Sequence, residues 1–161
     1  MDAVRLIAAG RHALAQSGAA MDIVGEAWQA QALAQGIGSW LAVTGPPELR
    51  SEARGLGEAG SRGCGVLDRA ALCSEGSAPD YPPRAAQLTE VADVRQALLG
   101  LQALLGEVGI ALVGVACATD DEGLYWQCIE SIDAADESSD RVRAVLRRLA
   151  VRERGSASGV A

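Results

Sequence analysis

Residues 91–115 read VADVRQALLGLQALLGEVGIALVGV, and apolar residues recur there at 91, 94, 98, 101, 105, 108, 112 and 115. The steps alternate between three and four without a break. A 3.5-residue repeat of this kind holds one stripe of a helix against a partner helix in left-handed packing. One seam is Val91, Leu98, Leu105 and Leu112; the other is Val94, Leu101, Val108 and Val115. The flanking Ala97, Leu99, Leu104, Ala111 and Val113 are apolar too. The pattern therefore predicts a helix buried on most sides, the long central helix of a bundle, over about 84–118, starting as late as Thr89 or Glu90. Only Asp93, Gly100, Glu107 and Gly114, seven apart, interrupt the apolar surface. Glu107 is expected to meet water, an arginine or a ligand on that stripe. A carboxylate held inside a bundle is a site candidate because burial disfavours its charge.

The same stretch is long enough to span a bilayer. Its transfer energy argues against it. Six Leu, one Ile and three Val in 97–119 contribute about −3 to −6 kcal/mol, and a carboxylate near the midpoint costs roughly +3. Gln102 and the glycines at 100, 106, 109 and 114 remove most of the remainder. Membrane association through 97–119 is kept only as the third reading.

Working outward, the pattern stays helical. A first helix is expected over 2–17 with Asp2 as its cap. A second is expected over 22–44, capped by Asp22 and stopped by Gly45-Pro46-Pro47. Its seam is Ile23, Ala27, Ala30, Ala34, Ile37 and Leu41, with Gln29, Gln31 and Gln35 as polar surface. A third, over 47–74, opens on Pro47. Its seam (Leu49, Ala53, Leu56, Gly60, Gly63, Leu67, Ala70) carries glycines that each cost about 1 kcal/mol in a helix interior. Either close helix contacts offset that cost or the helix breaks near 60–65. Residues 75–83 form a loop. A fifth helix over 121–136 and a sixth capped by Ser139 or Asp140 complete an all-α antiparallel bundle of five to six helices. One domain over 1–154 and a disordered tail over 155–161 are expected.

The chain has 161 residues, 49% of them apolar, a net charge of −7, and no Lys, Asn or Phe. An acidic balance argues against a general nucleic-acid binder, which needs a basic face. Four cysteines without CxxC spacing and an N-terminus without a secretory pattern suggest a cytoplasmic protein with reduced thiols. Charge is uneven: residues 120–140 hold eight acids, and 141–154 hold six arginines. Arg147 and Arg148, in the middle of that arginine cluster, are the candidate interface residues, pairing with the acidic segment inside the chain or across a dimer.

Catalytic and metal vocabulary is sparse. The single His12 has no acid at di-iron spacing. GLGEAG at 55–60 matches GxGxxG, but no strand precedes it, so the phosphate-loop context is missing. Residues 120–123 do not follow calcium-loop spacing. No metal and no cofactor are expected, and the balance leans away from an enzyme. Trp28, Trp40 and Trp126 bring large apolar area. With Glu107 they are the candidate lining of a pocket between helices, should the protein bind a small ligand.

The strings EAWQAQALAQ at 26–35 and YWQCIE at 125–130 resemble those of a family of uncharacterised actinobacterial proteins of about this size. The resemblance implies a soluble bacterial protein and transfers no activity or site. The functional expectation is a non-enzymatic helical interaction protein, homodimeric or docking a protein partner. The alternative is a small-ligand sensor.

Overall fold

In the computed structural model the described residues are 1–71 and 82–159, with the side chains of 68–71 left aside. Five α-helices occupy them: α1 (Ala3–Gln16), α2 (Ala20–Thr44), α3 (Arg50–Ala71), α4 (Val94–Ala118) and α5 (Glu122–Ser158). Short 3-10 turns precede α3 (Pro47–Leu49) and α4 (Arg84–Gln87). The all-α bundle is thus as the periodicity predicts. The end of the third helix beyond residue 71 and most of the 75–83 loop lie outside the described residues.

The helix starts follow their caps. The Asp2 carboxylate accepts from Val4 N at 3.0 Å, and Asp93 accepts from Gln96 N at 2.9 Å. Asp121 accepts from Gly123 N and Leu124 N, at 2.8 and 3.2 Å. Each removes an unpaired N–H from a first turn. Asp22 is not a cap: α2 starts at Ala20, and Asp22 sits in its first turn, where its charge favours the helix dipole.

The central helix is shorter than 84–118. Residues 89–92 are committed elsewhere, to residues 1–3. Thr89 N donates to Met1 O, Ala3 N donates to Glu90 O, and Ala92 N donates to the second oxygen of Asp2. A backbone so engaged cannot close i→i−4 bonds, so α4 waits for the Asp93 cap. The segment before it is pinned on α2 by Arg84, which pairs with Glu26 at 2.6 and 2.8 Å. Leu88 packs toward Gly36.

The fifth and sixth predicted helices are one helix of 37 residues. Ser139 and Asp140 do not cap a new helix: both lie inside α5, with Ser139 buried beside Ser138. The Ser138 hydroxyl instead donates to Gln31 Oε1 at 2.7 Å. Gln31, expected on the surface, is 1% exposed. The helix also continues through the expected tail to Ser158, exposed from residue 151 onward.

Both α4 seams enter the core. Val91, Leu98, Leu101, Leu105, Val108, Leu112 and Val115 are all buried, against α1, α2 and α5. The glycines of α3 are resolved in favour of close contact, since α3 runs unbroken. A Cβ on Gly60 would lie 2.5 Å from Gln35 N and 2.7 Å from Gln31 O. One on Gly38 of α2 would lie 2.8 Å from Ala53 O. One on Gly63 would lie 2.6 Å from Gln31 Oε1, so this glycine makes room for the buried amide. The GLGEAG string lies inside α3, and its glycines 57 and 60 face the α2 backbone.

Candidate interaction face

α4 packs on α1, α2 and α5, which leaves one side to solvent. The expectation that it is buried on most sides therefore fails on that side. Leu99 is 50% exposed, Ile110 76% and Val113 48%. Gly106 and Cys117 are also exposed, and Ala103 is half-buried. These six positions, 99, 103, 106, 110, 113 and 117, step by four and three. They form a second heptad seam on the back of the first. The signal was present in the sequence: the apolar flanks carry their own 3.5-residue repeat. Flanking apolar residues read as extra core when no other helix is known to be missing.

The outer seam carries no charge. Within α4 the only charged residues are Arg95 and Glu107, one at each border of this face, and each is neutralised by a neighbouring helix. Glu107 accepts from Arg11 of α1, with Arg11 Nε 3.0 Å from both carboxylate oxygens. Its carboxylate holds the Arg11 guanidinium more firmly in its charged form, by hydrogen bond first and charge second. Arg95 pairs with Glu153 of α5. Glu107 thus meets an arginine, and its side chain stays 39% exposed to water.

Gly106, Gly109 and Gly114 have no atom within 4 Å of a would-be Cβ, and no glycine of the described residues has positive φ. Neither close packing within the chain nor backbone conformation requires them. α4 is also the one helix among the described residues long and apolar enough to cross a membrane, with mean hydropathy 1.9 and 39% of that window buried. Length and composition alone do not separate a span from a core helix.

The tryptophans do not converge. Trp28 and Trp40 lie twelve residues apart on α2, about 18 Å along its axis, and both pack partly on the core. Trp126 is 57% exposed on the first turns of α5, edge-to-face with Tyr125 at 5.3 Å. A groove of about 750 Å³ opens between α3 and α5, lined by Arg62, Gly65, Val66, Glu130, Asp133, Ala134 and Glu137. None of the three tryptophans nor Glu107 lines it. Arg62 and Glu137 pair across it.

Half of the six arginines in the α5 cluster pair with acids of the chain. Arg148 pairs with Glu52 at 3.2 Å and Arg152 with Glu48 at 3.6 Å, and Arg141 lies across Gly55. Those acids belong to 47–52, not to the acidic segment before the cluster; only Arg143 turns back, to Asp140. Arg147 is exposed. Among the described residues no three His, Cys, Asp or Glu side chains come together to hold a metal. Cys128 is buried, and burial pushes its thiol up; among the described cysteines Cys117 is the exposed one.

Among the described residues, these features define a helical-bundle protein whose α4 carries an uncovered apolar face. By sequence the chain belongs to a family of unknown function (DUF6099), whose profile matches residues 1–148. No curated protein and no solved structure matches it.

Proposed function

We propose that this is a non-catalytic helical interaction protein that docks a protein partner on the outer face of α4. The single observation that carries the reading is the exposed, uncharged heptad seam from Leu99 to Cys117. A contiguous apolar strip on an otherwise well-packed bundle marks an interaction site. A 3.5-residue repeat fits a helix in particular, because the alternating three and four steps are what facing helices interlock through. Arg147 and Arg148 are not part of this face in the proposal: they lie on α5, and Arg148 already pairs with Glu52.

The test is a photoreactive residue at position 110 in cells, with a control at position 130 on the α3–α5 groove. Protein adducts at 110 but not at 130 support the reading. Lipid adducts at 110 would favour the membrane alternative instead. Adducts at 130 alone would move the binding site to the groove, the place where a ligand-sensor reading would look for its ligand.

A further inference from the structure

We infer that the partner on the outer face of α4 is a second copy of this chain, docked antiparallel, α4 against α4, about a two-fold axis at Val108. The inference rests on the proposed reading that this face docks a protein. It commits that face to one occupant.

The argument is the order of side-chain sizes along the seam. An antiparallel two-fold at Val108 places equidistant positions opposite one another. Leu99 then meets Cys117 of the other copy, Ala103 meets Val113, and Gly106 meets Ile110. Every pair joins a large side chain to a small one, and the relation is the same read from either copy, as an isologous interface demands. Ile110, the most exposed large apolar side chain among the described residues at 76%, enters the hollow over Gly106. That hollow is open in the single chain, with nothing within 4 Å of a would-be Cβ. A parallel, in-register pair would set Ile110 on Ile110 and Gly106 on Gly106. Clash and void would then alternate, which a close-packed contact does not tolerate.

Charge points the same way. The C-terminal end of α4 runs into three consecutive acids, Asp120, Asp121 and Glu122, while its N-terminal end mixes signs, with Asp93, Arg95 and the Glu153 that pairs with Arg95. A parallel pair brings the two acidic ends together. The antiparallel pair separates them. Opposed helix dipoles favour this sense as well. From Leu99 to Cys117 the seam is about 27 Å long at 1.5 Å per residue, some five turns of contact. The ion pairs at Arg11–Glu107 and Arg95–Glu153 remain outside it as a polar rim.

The test uses three proteins, all with Cys73→Ser so that the remaining cysteines are the buried pair Cys64 and Cys128 and those under study. The first keeps Cys117; the second is Leu99→Cys with Cys117→Ser; the third is Leu99→Cys with Cys117 intact. Under mild oxidation the antiparallel register gives a covalent dimer only in the third, because only there does a thiol at 99 face one at 117. Light scattering of concentrated unoxidised protein is expected to give twice the 16.5 kDa chain mass. Ile110→Glu is expected to return it to single-chain mass with helical content unchanged by circular dichroism. A covalent dimer in the first protein, through Cys117 alone, overturns the register. Single-chain mass at all concentrations overturns the second copy as partner. If position 110 then still captures another protein in cells, the interaction reading survives and this inference alone falls.

Discussion

Two faces of this bundle are built with glycine, and they differ in what stands opposite. At the α2–α3 contact, Gly38, Gly60 and Gly63 meet backbone or a buried amide at distances that leave no room for a methyl group. On the outer side of α4, Gly106, Gly109 and Gly114 meet nothing. The helix-propensity cost is the same on both faces, about 1 kcal/mol per glycine relative to alanine. Only at α2–α3 does the chain itself offset that cost. Glycine in a helix is therefore informative only together with its neighbours: inside the bundle it records a close approach, and outside it leaves a hollow unfilled.

The comparison breaks most sharply on α4, where the two seams lie back to back. Leu101→Ala, on the inner seam, is expected to lower unfolding stability by about 2–5 kcal/mol through lost burial and a cavity. Leu99→Ala, two residues away on the outer seam, is expected to stay within about 0.5 kcal/mol in dilute protein. Urea unfolding midpoints measure both; equal losses would mean that the outer seam is core after all. Next in size are Gly60→Ala and Gly38→Ala, each expected to destabilise by about 1–3 kcal/mol because backbone must move to admit the methyl group. A gain in thermal stability at either position would remove the close-approach account of α2–α3. The outer glycines should show the opposite sign. Gly109→Ala, which lies off the outer seam, is expected to stabilise the single chain by up to about 1 kcal/mol, read as a rise in melting temperature. The smallest effect belongs to the border: Glu107→Gln is expected to cost less than about 1 kcal/mol, since Arg11 and Glu107 are both substantially exposed and exposed pairs are weak. Its cost should shrink in high salt; a cost that salt leaves untouched would point to packing rather than charge.

The sequence made the fold class plain because heptad spacing survives whatever surrounds it. The inner seam at 91–115 and the α3 seam from Leu49 to Leu67 are where the periodicity puts them. Three things were not legible. The start of α4 depends on Asp2 and Glu90, 88 positions apart, and no local pattern announces such a pairing. The continuity of α5 through Ser138-Ser139-Asp140 goes with Gln31 offering Ser138 a partner inside the core; without that contact Ser139 and Asp140 read as a cap. The outer face of α4 was hidden for a third reason. Apolar flanks look the same whether another helix of the chain covers them or none does, and coverage is a property of topology. Of the residues singled out as a site, only Glu107 stands at the border of the proposed face. The tryptophans attract notice by size, yet size alone does not bring side chains on separate turns together.

The attachment of the chain's first residues to 89–92 sets an order of events during synthesis. α2 and α3 are neighbours in sequence and can pair as soon as both have emerged. α1 cannot take its final place until residue 92 follows, because Asp2 and Ala3 need the backbone of Glu90 and Ala92. At 5–20 residues per second that interval is roughly 5–20 s. α1 can lean on α2 in the meantime, but its side toward α4 stays without a partner until that helix, emerging well after it, has formed.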